Sequence, residues 1–211
     1  EGQYWGWMHG MPHAVKDLSH ARGFPTSFGS AIYAGSVAEE DSFMIGRIRA
    51  QGAIFIGKTN APEFGMGSQT YNSVFGATGS ACDPTLTAGG SSGGAASGLG
   101  THMLPVADGS DLMGSLRNPG AFNNVIGFRP SQGRVPGGGS GELFYQQMAT
   151  GGPMGRNTED TIRLLHSIAG YDPHQPLSLR DDLPSFNEYR SLDISGLKIG
   201  WLGSYEGYLS M

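Results

Sequence analysis

Glycine is the residue that most constrains this chain: 36 of its 211 residues, well above an average usage of about 7%. The glycines follow no repeat and lie among aromatic and aliphatic residues, so neither a collagen helix nor a flexible linker accounts for them. What glycine offers instead is sharp turning and close approach of one backbone to another. The pattern predicts many tight turns around an active site built largely from loops.

A chain of 211 residues is long enough to bury a core, as one large domain or two small ones. Its 38% apolar and 15% charged residues fit a soluble globular protein. A net charge of −5 argues against a nucleic-acid partner, which needs a basic face. No run of about 18 apolar residues is present, so no membrane span or membrane partner is expected. Cys82 is the single cysteine, which excludes an intrachain disulfide and speaks against a metal–thiolate site. It is compatible with a reducing compartment, and a cytoplasmic location is expected. The chain opens on Glu1 and enters YWGWMHGM directly, then closes on the aromatic WLGSYEGYLSM. Both ends read as cuts within a longer protein, here an N-terminal to central part.

Alternating helix and strand signals predict an α/β fold with a mixed sheet flanked by helices. Residues 12–16 read as a strand that delivers Lys16. Ser36 and Glu39 have capping-box spacing and open a helix to Gln51, with Val37, Asp41, Met44, Ile45 and Ile48 on one face and Gly52 as its stop. Residues 53–56 read as a buried strand, and Thr59 to Gly90 as a long loop. Residues 93–101 read as a short helix of small residues, and Leu104–Ala107 as a strand running into Asp108–Arg117. Residues 133–152 form a second Gly-rich loop. Asn157 or Thr158 caps a helix through Ile168. Residues 171–190 are a polar surface connection, and Leu197–Leu202 is a last strand.

The chemistry lies in Lys16 of MPHAVKDL, Ser91 of AGGSSGGAASG and Ser115 of DGSDLMGSLRNP. A serine flanked by glycine can present its hydroxyl on a sharp turn beside backbone amides, as acyl transfer requires. Lysine can serve as the base once burial lowers its pKa. Gly89–Gly93 matches a nucleophile elbow, yet the hydrophobic strand that such an elbow needs is missing before it. A phosphate loop fits less well, because no lysine follows the glycines. Ser115 follows a credible strand, though taken alone a serine before Pro119 more often reads as a helix cap. The six histidines (His9, His13, His20, His102, His166 and His174) could supply a base, but none has a distinctive setting.

Several motifs in one order resolve these alternatives. MPHAVKDL, GAIFIGKTNAPEFGMG, AGGSSGGAASG, ADGSDLMGSLRNPGAFNNVIGFRPSQGRVP, GGPMGRNTEDTIRLL and GLKIGWLG together resemble the amidase signature family along essentially the whole chain. The resemblance implies that residues 1–211 are part of one amidase signature domain, lacking N-terminal helices and a C-terminal half. It implies a catalytic Lys16, a relay Ser91 after a cis Gly90–Ser91 bond, and a nucleophilic Ser115. It also implies oxyanion-hole amides at Leu112, Met113 and Gly114, with Asp111 and Arg117 bracing that loop. Gly65 and Met66 fall where family members line the substrate pocket. The implied reaction cleaves a small-molecule carboxylic amide to an acid and an amine or ammonia. It needs no cofactor and no metal, and a homodimer of the full-length parent is an expected assembly. An amidotransferase component of the glutamyl-tRNA type, or an inactive fragment, are the alternatives. Two residues depart from the family pattern: Met113 stands where glycine is usual, and His13 stands near Lys16 where an apolar residue is commoner.

Overall fold

The computed structural model describes residues 2–137 and 148–200. Strand β1 (Pro12–Lys16) pairs in parallel with β2 (Ile54–Thr59), and helix α1 (Phe43–Ala50) lies in the connection between them. A short hairpin of β3 (Tyr71–Asn72) and β4 (Gly76–Ala77) follows, and then helix α2 (Gly93–Gly100). Strand β5 (Val106–Asp111) leads to helix α3 (Arg117–Phe122) and strand β6 (Ile126–Gly127). Strand β7 (Thr150–Gly155) lies between β5 and β6, antiparallel to both. Helix α4 (Thr158–Ile168) and the short α5 (Phe186–Arg190) complete the elements.

This is the α/β class expected, with the strands distributed over small separate ladders. Two apolar clusters explain the layering. On one side Met44, Ile45 and Ile48 of α1 and Leu164, Leu165 and Ile168 of α4 close over Val15 and Val106. On the other, Ala95, Ala96 and Leu99 of α2 pack with Ala14, Ala107, Leu116 and Met154. Strands β1 and β5 therefore run through the middle, each contributing to both clusters. Small residues let α2 come close: a Cβ at Gly94 would lie 2.3 Å from the Asn60 backbone nitrogen, a contact no side chain tolerates.

Several expected boundaries are corrected. The helix expected from Ser36 begins at Phe43 with Ser42 as its cap residue. Val37 is instead bridged to Pro25 as extended chain and is exposed, and Asp41 is taken by Arg49, 2.6 Å away, and by the Arg22 amide. Strand β2 alternates rather than being buried throughout: Ile54 and Ile56 face outward. The stretch from Thr59 to Gly90 is not one loop, since it holds a 3-10 turn at Glu63–Gly65 and the β3–β4 hairpin. Part of the expected 133–152 loop is strand β7, and the polar 171–190 connection ends in α5. Residues 197–200 form no strand, and 201–202 lie outside the described residues.

Candidate active site

Lys16 closes β1 and is 1% exposed, the largest fully buried side chain of the described residues. Its Nζ lies 2.9 Å from Ser91 Oγ, 2.7 Å from Ser92 Oγ and 3.0 Å from Ser110 Oγ. An ammonium removed from water and surrounded by neutral hydroxyls is poorly solvated. Burial lowers the Lys16 pKa from 10.5 to about 7, against the opposing pull of the Asp108 and Asp111 carboxylates. Lys16 is thus an amine poised between its two protonation states near neutrality.

Ser91 follows a cis Gly90–Ser91 peptide, and Ser92 immediately precedes α2 as its cap residue. Two hydrogen bonds hold this segment against the segment that carries Ser115. The Ser92 amide donates to the Ser115 carbonyl at 3.2 Å, and the Gly90 amide to Asn118 Oδ1 at 3.2 Å. Ser115 is half-buried and does not cap α3; the cap position is Leu116, with no side-chain bond. Among the described residues the Ser115 hydroxyl has no hydrogen-bond partner, so the structure joins Lys16 to Ser91 directly and leaves Ser115 Oγ free to turn.

Asp111 organises the turn from β5 into α3. Its fully buried carboxylate accepts the Gly114 amide at 2.7 Å, the Leu116 amide at 3.1 Å, Arg117 Nε at 3.0 Å and Arg129 at 2.7 Å. Burial by itself would raise this carboxyl, but the Arg117, amide and Arg129 hydrogen bonds outweigh it and hold it well below the usual range. Gly114 adopts φ +117°, a conformation that favours glycine. Because the Gly114 amide is committed to Asp111, the donors left open among the described residues are the amides of Leu112, Met113 and Ser115. The Met113 side chain is 85% exposed and points away from the packed interior. Gly65 is brought to the same place: a carbon at its Cβ position would lie 3.8 Å from Ser91 Oγ. Met66 is exposed beside it.

Sequence reasoning missed Ser92 and Ser110, which share Lys16 with Ser91, and Arg129, which ties Asp111 to the carbonyls of Leu112 and Met148. The doublet in GGSSGG and the serine in DGSD were the only signals available. None of the six histidines contacts Ser91 or Ser115; His13 pairs instead with Asp108, Nε2 to Oδ1 at 3.0 Å. A cleft of about 530 Å³ lined by Leu18, Phe28, Phe43, Val135 and Gly151 reaches Ser110 beside the lysine. A second hollow of about 600 Å³ is lined by Phe24, Lys58, Val74 and Phe75, and Lys16, Ser91 and Ser115 line neither of the two. Among the described residues no cluster of three His, Cys, Asp or Glu side chains is placed to hold a metal ion, and no helix is long and apolar enough to cross a membrane.

Comparison with known proteins follows the same outline. The family model described as Amidase matches residues 2–209. A glutamyl-tRNA(Gln) amidotransferase subunit from Synechococcus sp. (strain JA-2-3B'a(2-13)) is 40% identical over 199 residues, 94% of this chain and 39% of that protein. A bacterial aryl acylamidase of the amidase signature enzymes superposes with a TM-score of 0.80 at 33% identity, over 84% of this chain and 37% of that one. The native peptide amidase of Stenotrophomonas maltophilia gives 0.77 at 32% identity, over 84% and 37%. The chain thus spans about two fifths of the length of the relatives it matches.

Proposed function

The chain belongs to the amidase signature family, and we propose that it carries the amide-cleaving centre of a longer enzyme, with Ser115 as nucleophile and Lys16 and Ser91 as its proton relay. The observation that carries this reading is the buried Lys16 amine, 2.9 Å from Ser91 Oγ and with its pKa lowered to about 7. A base must be unprotonated at working pH and still take up a proton readily, and a value near neutrality serves both needs.

Neutral Lys16 takes the Ser91 proton as Ser91 takes the proton of Ser115. Ser115 Oγ bonds to the amide carbonyl carbon, and the carbonyl electron pair moves onto oxygen. The open amides of Leu112, Met113 and Ser115 receive that oxyanion, while Asp111 fixes the turn that presents them. Collapse of the adduct breaks the carbon–nitrogen bond, and the relay returns its proton to the departing amine. Water, deprotonated by the same relay, then attacks the acyl carbon; the ester bond to Ser115 breaks, the acid leaves, and the relay returns the proton to Ser115 Oγ. The cleft that reaches Ser110 is the approach for the small-molecule amide, and Gly65, close to Ser91 Oγ, and Met66 beside it contact the substrate.

A second reading is favoured by the 40% identity to a component of an amidotransferase: the same centre would release ammonia from glutamine for a partner protein. Glutamine-dependent ammonia release that requires a co-purifying partner separates it from a free amidase. The direct test of the shared chemistry is mass spectrometry after fluorophosphonate treatment of wild type, Ser115→Ala and Lys16→Ala. A single adduct on Ser115, abolished in Ser115→Ala and slowed at least 100-fold in Lys16→Ala, is expected from the magnitude of general-base catalysis, roughly 10²–10⁴. An adduct that persists without Lys16 and needs a histidine would falsify the relay.

A further inference from the structure

Strands β1 and β5 lie side by side but share no backbone ladder. Besides the Lys16 Nζ–Ser110 Oγ bond, they are joined by the side chain of Asp108, fully buried, whose two carboxylate oxygens each lie 3.3 Å from the Lys16 backbone nitrogen. Its other partner is His13 Nε2 at 3.0 Å, also fully buried. The opposite ring nitrogen, His13 Nδ1, is buried with no hydrogen-bond partner among the described residues. If Nε2 carries the proton that Asp108 accepts, Nδ1 holds only a lone pair; a second N–H there would be buried unpaired, which costs more. Asp108 thus sets a carboxylate beside the lysine, whose pull on the ammonium opposes the lowering by burial.

We propose that His13 and Asp108 are a positioning pair for Lys16: the imidazole anchors a buried carboxylate against the lysine backbone, and that carboxylate's charge sets the pH at which the ammonium releases its proton. The inference rests on the catalytic role proposed for Lys16. The charged groups around the pair are few. On β1 there is Lys16 itself, directly after it Asp17, on β2 Lys58 and on β5 Asp111; α2 and β7 offer none, and α4, which also packs on β5, carries Glu159, Asp160, Arg163 and His166. From α1, Arg49 lies over the Phe55 ring at 4.4 Å, and that ring separates it from His13. Asp17 and Lys58 face each other at 3.8 Å, and Asp111 is engaged by two arginines. Asp108 is thus the carboxylate whose charge is least spoken for.

The test is a pH titration of Lys16 in the complete natural protein, followed by the NMR signal of ¹³Cε-labelled lysine and assigned with Lys16→Met. Asp108→Asn removes the charge, keeps the shape, and is expected to move the Lys16 midpoint down by about one pH unit. His13→Leu, which strips the carboxylate of its anchoring donor, moves it in the same direction. His13→Gln, which restores an N–H at similar reach, brings it back to the wild-type value. A midpoint that stays or rises in folded Asp108→Asn overturns the proposal. Should that variant not fold, equal midpoints in His13→Leu and His13→Gln overturn it on the same readout. Because the titration needs no turnover, it is separate from the Ser115 adduct: a wild type that forms no adduct refutes the catalytic reading while Lys16 stays measurable.

Discussion

Lys16 shows how a single buried amine couples stability to chemistry. Its pKa falls from 10.5 to about 7 because burial removes the ammonium from water. At about 1.4 kcal/mol per pH unit, that shift corresponds to roughly 5 kcal/mol of folding free energy surrendered when the lysine is charged. The sign follows from proton counting. Between pH 7 and 10.5 the unfolded chain holds a proton that the folded chain has released, so stability from this residue rises with pH across that window. Below pH 7 both states are protonated and the cost is constant. Urea unfolding of wild type and Lys16→Met from pH 6 to 10 should therefore give a difference that is flat at the acid end and shifts in favour of wild type as pH rises. A difference independent of pH would mean that Lys16 is solvated in the folded protein.

Among the elements, the turn from β5 into α3 carries the proposed nucleophile, and Asp111 holds that turn. Asp111→Asn keeps the size but loses the charge that engages Arg117 and Arg129. Displacement of a catalytic group by about 1 Å costs on the order of 100-fold in rate, so if Ser115 is the nucleophile proposed, its labelling should slow by that order. Asn157→Ala provides the contrast. Asn157 accepts the Asp160 amide at 2.8 Å at the start of α4, and its loss should cost about 1 kcal/mol of stability with the labelling rate unchanged. Elements such as α4 were legible in the sequence because their signals are local: a cap residue, a 3.6-residue apolar period and a terminal glycine. The start of α1 misled for a related reason. Ser36 and Glu39 have capping-box spacing, but the bridge from Val37 to Pro25 takes that stretch as extended chain, and no local pattern reports a bridge between distant residues. The same limit governs the site. Lys16 meets Ser91 and Ser110 across 75 and 94 residues, so spacing alone could not join them. Resemblance to a family gave Ser91 its role, while Ser92 and Ser110, though inside the quoted motifs, were given none.

For the molecule as a whole, the edge of β2 is the telling surface. Parallel strands are ordinarily covered on both faces, because crossover connections place helices or further strands against them. Among the described residues β2 pairs only with β1, and Ile54 and Ile56 are 56% and 57% exposed on its outward face. The chain spans about two fifths of its relatives' length, so it has fewer elements than those proteins with which to cover such a strand. An uncovered apolar edge offers unpaired backbone groups and a hydrophobic stripe to any second copy. The 211-residue chain alone is accordingly expected to self-associate at micromolar concentration in sedimentation velocity, and the complete natural protein to form far less of the large species. Ile54→Lys with Ile56→Lys should suppress the association of the short chain, since charge on an edge strand opposes further pairing. Neither residue touches Lys16, Ser91 or Ser115, so the change in association should come without a change in the rate of Ser115 labelling per folded molecule. Association that persists in the double variant would place the exposed contact elsewhere, and β2 would then be an edge that the fold tolerates uncovered.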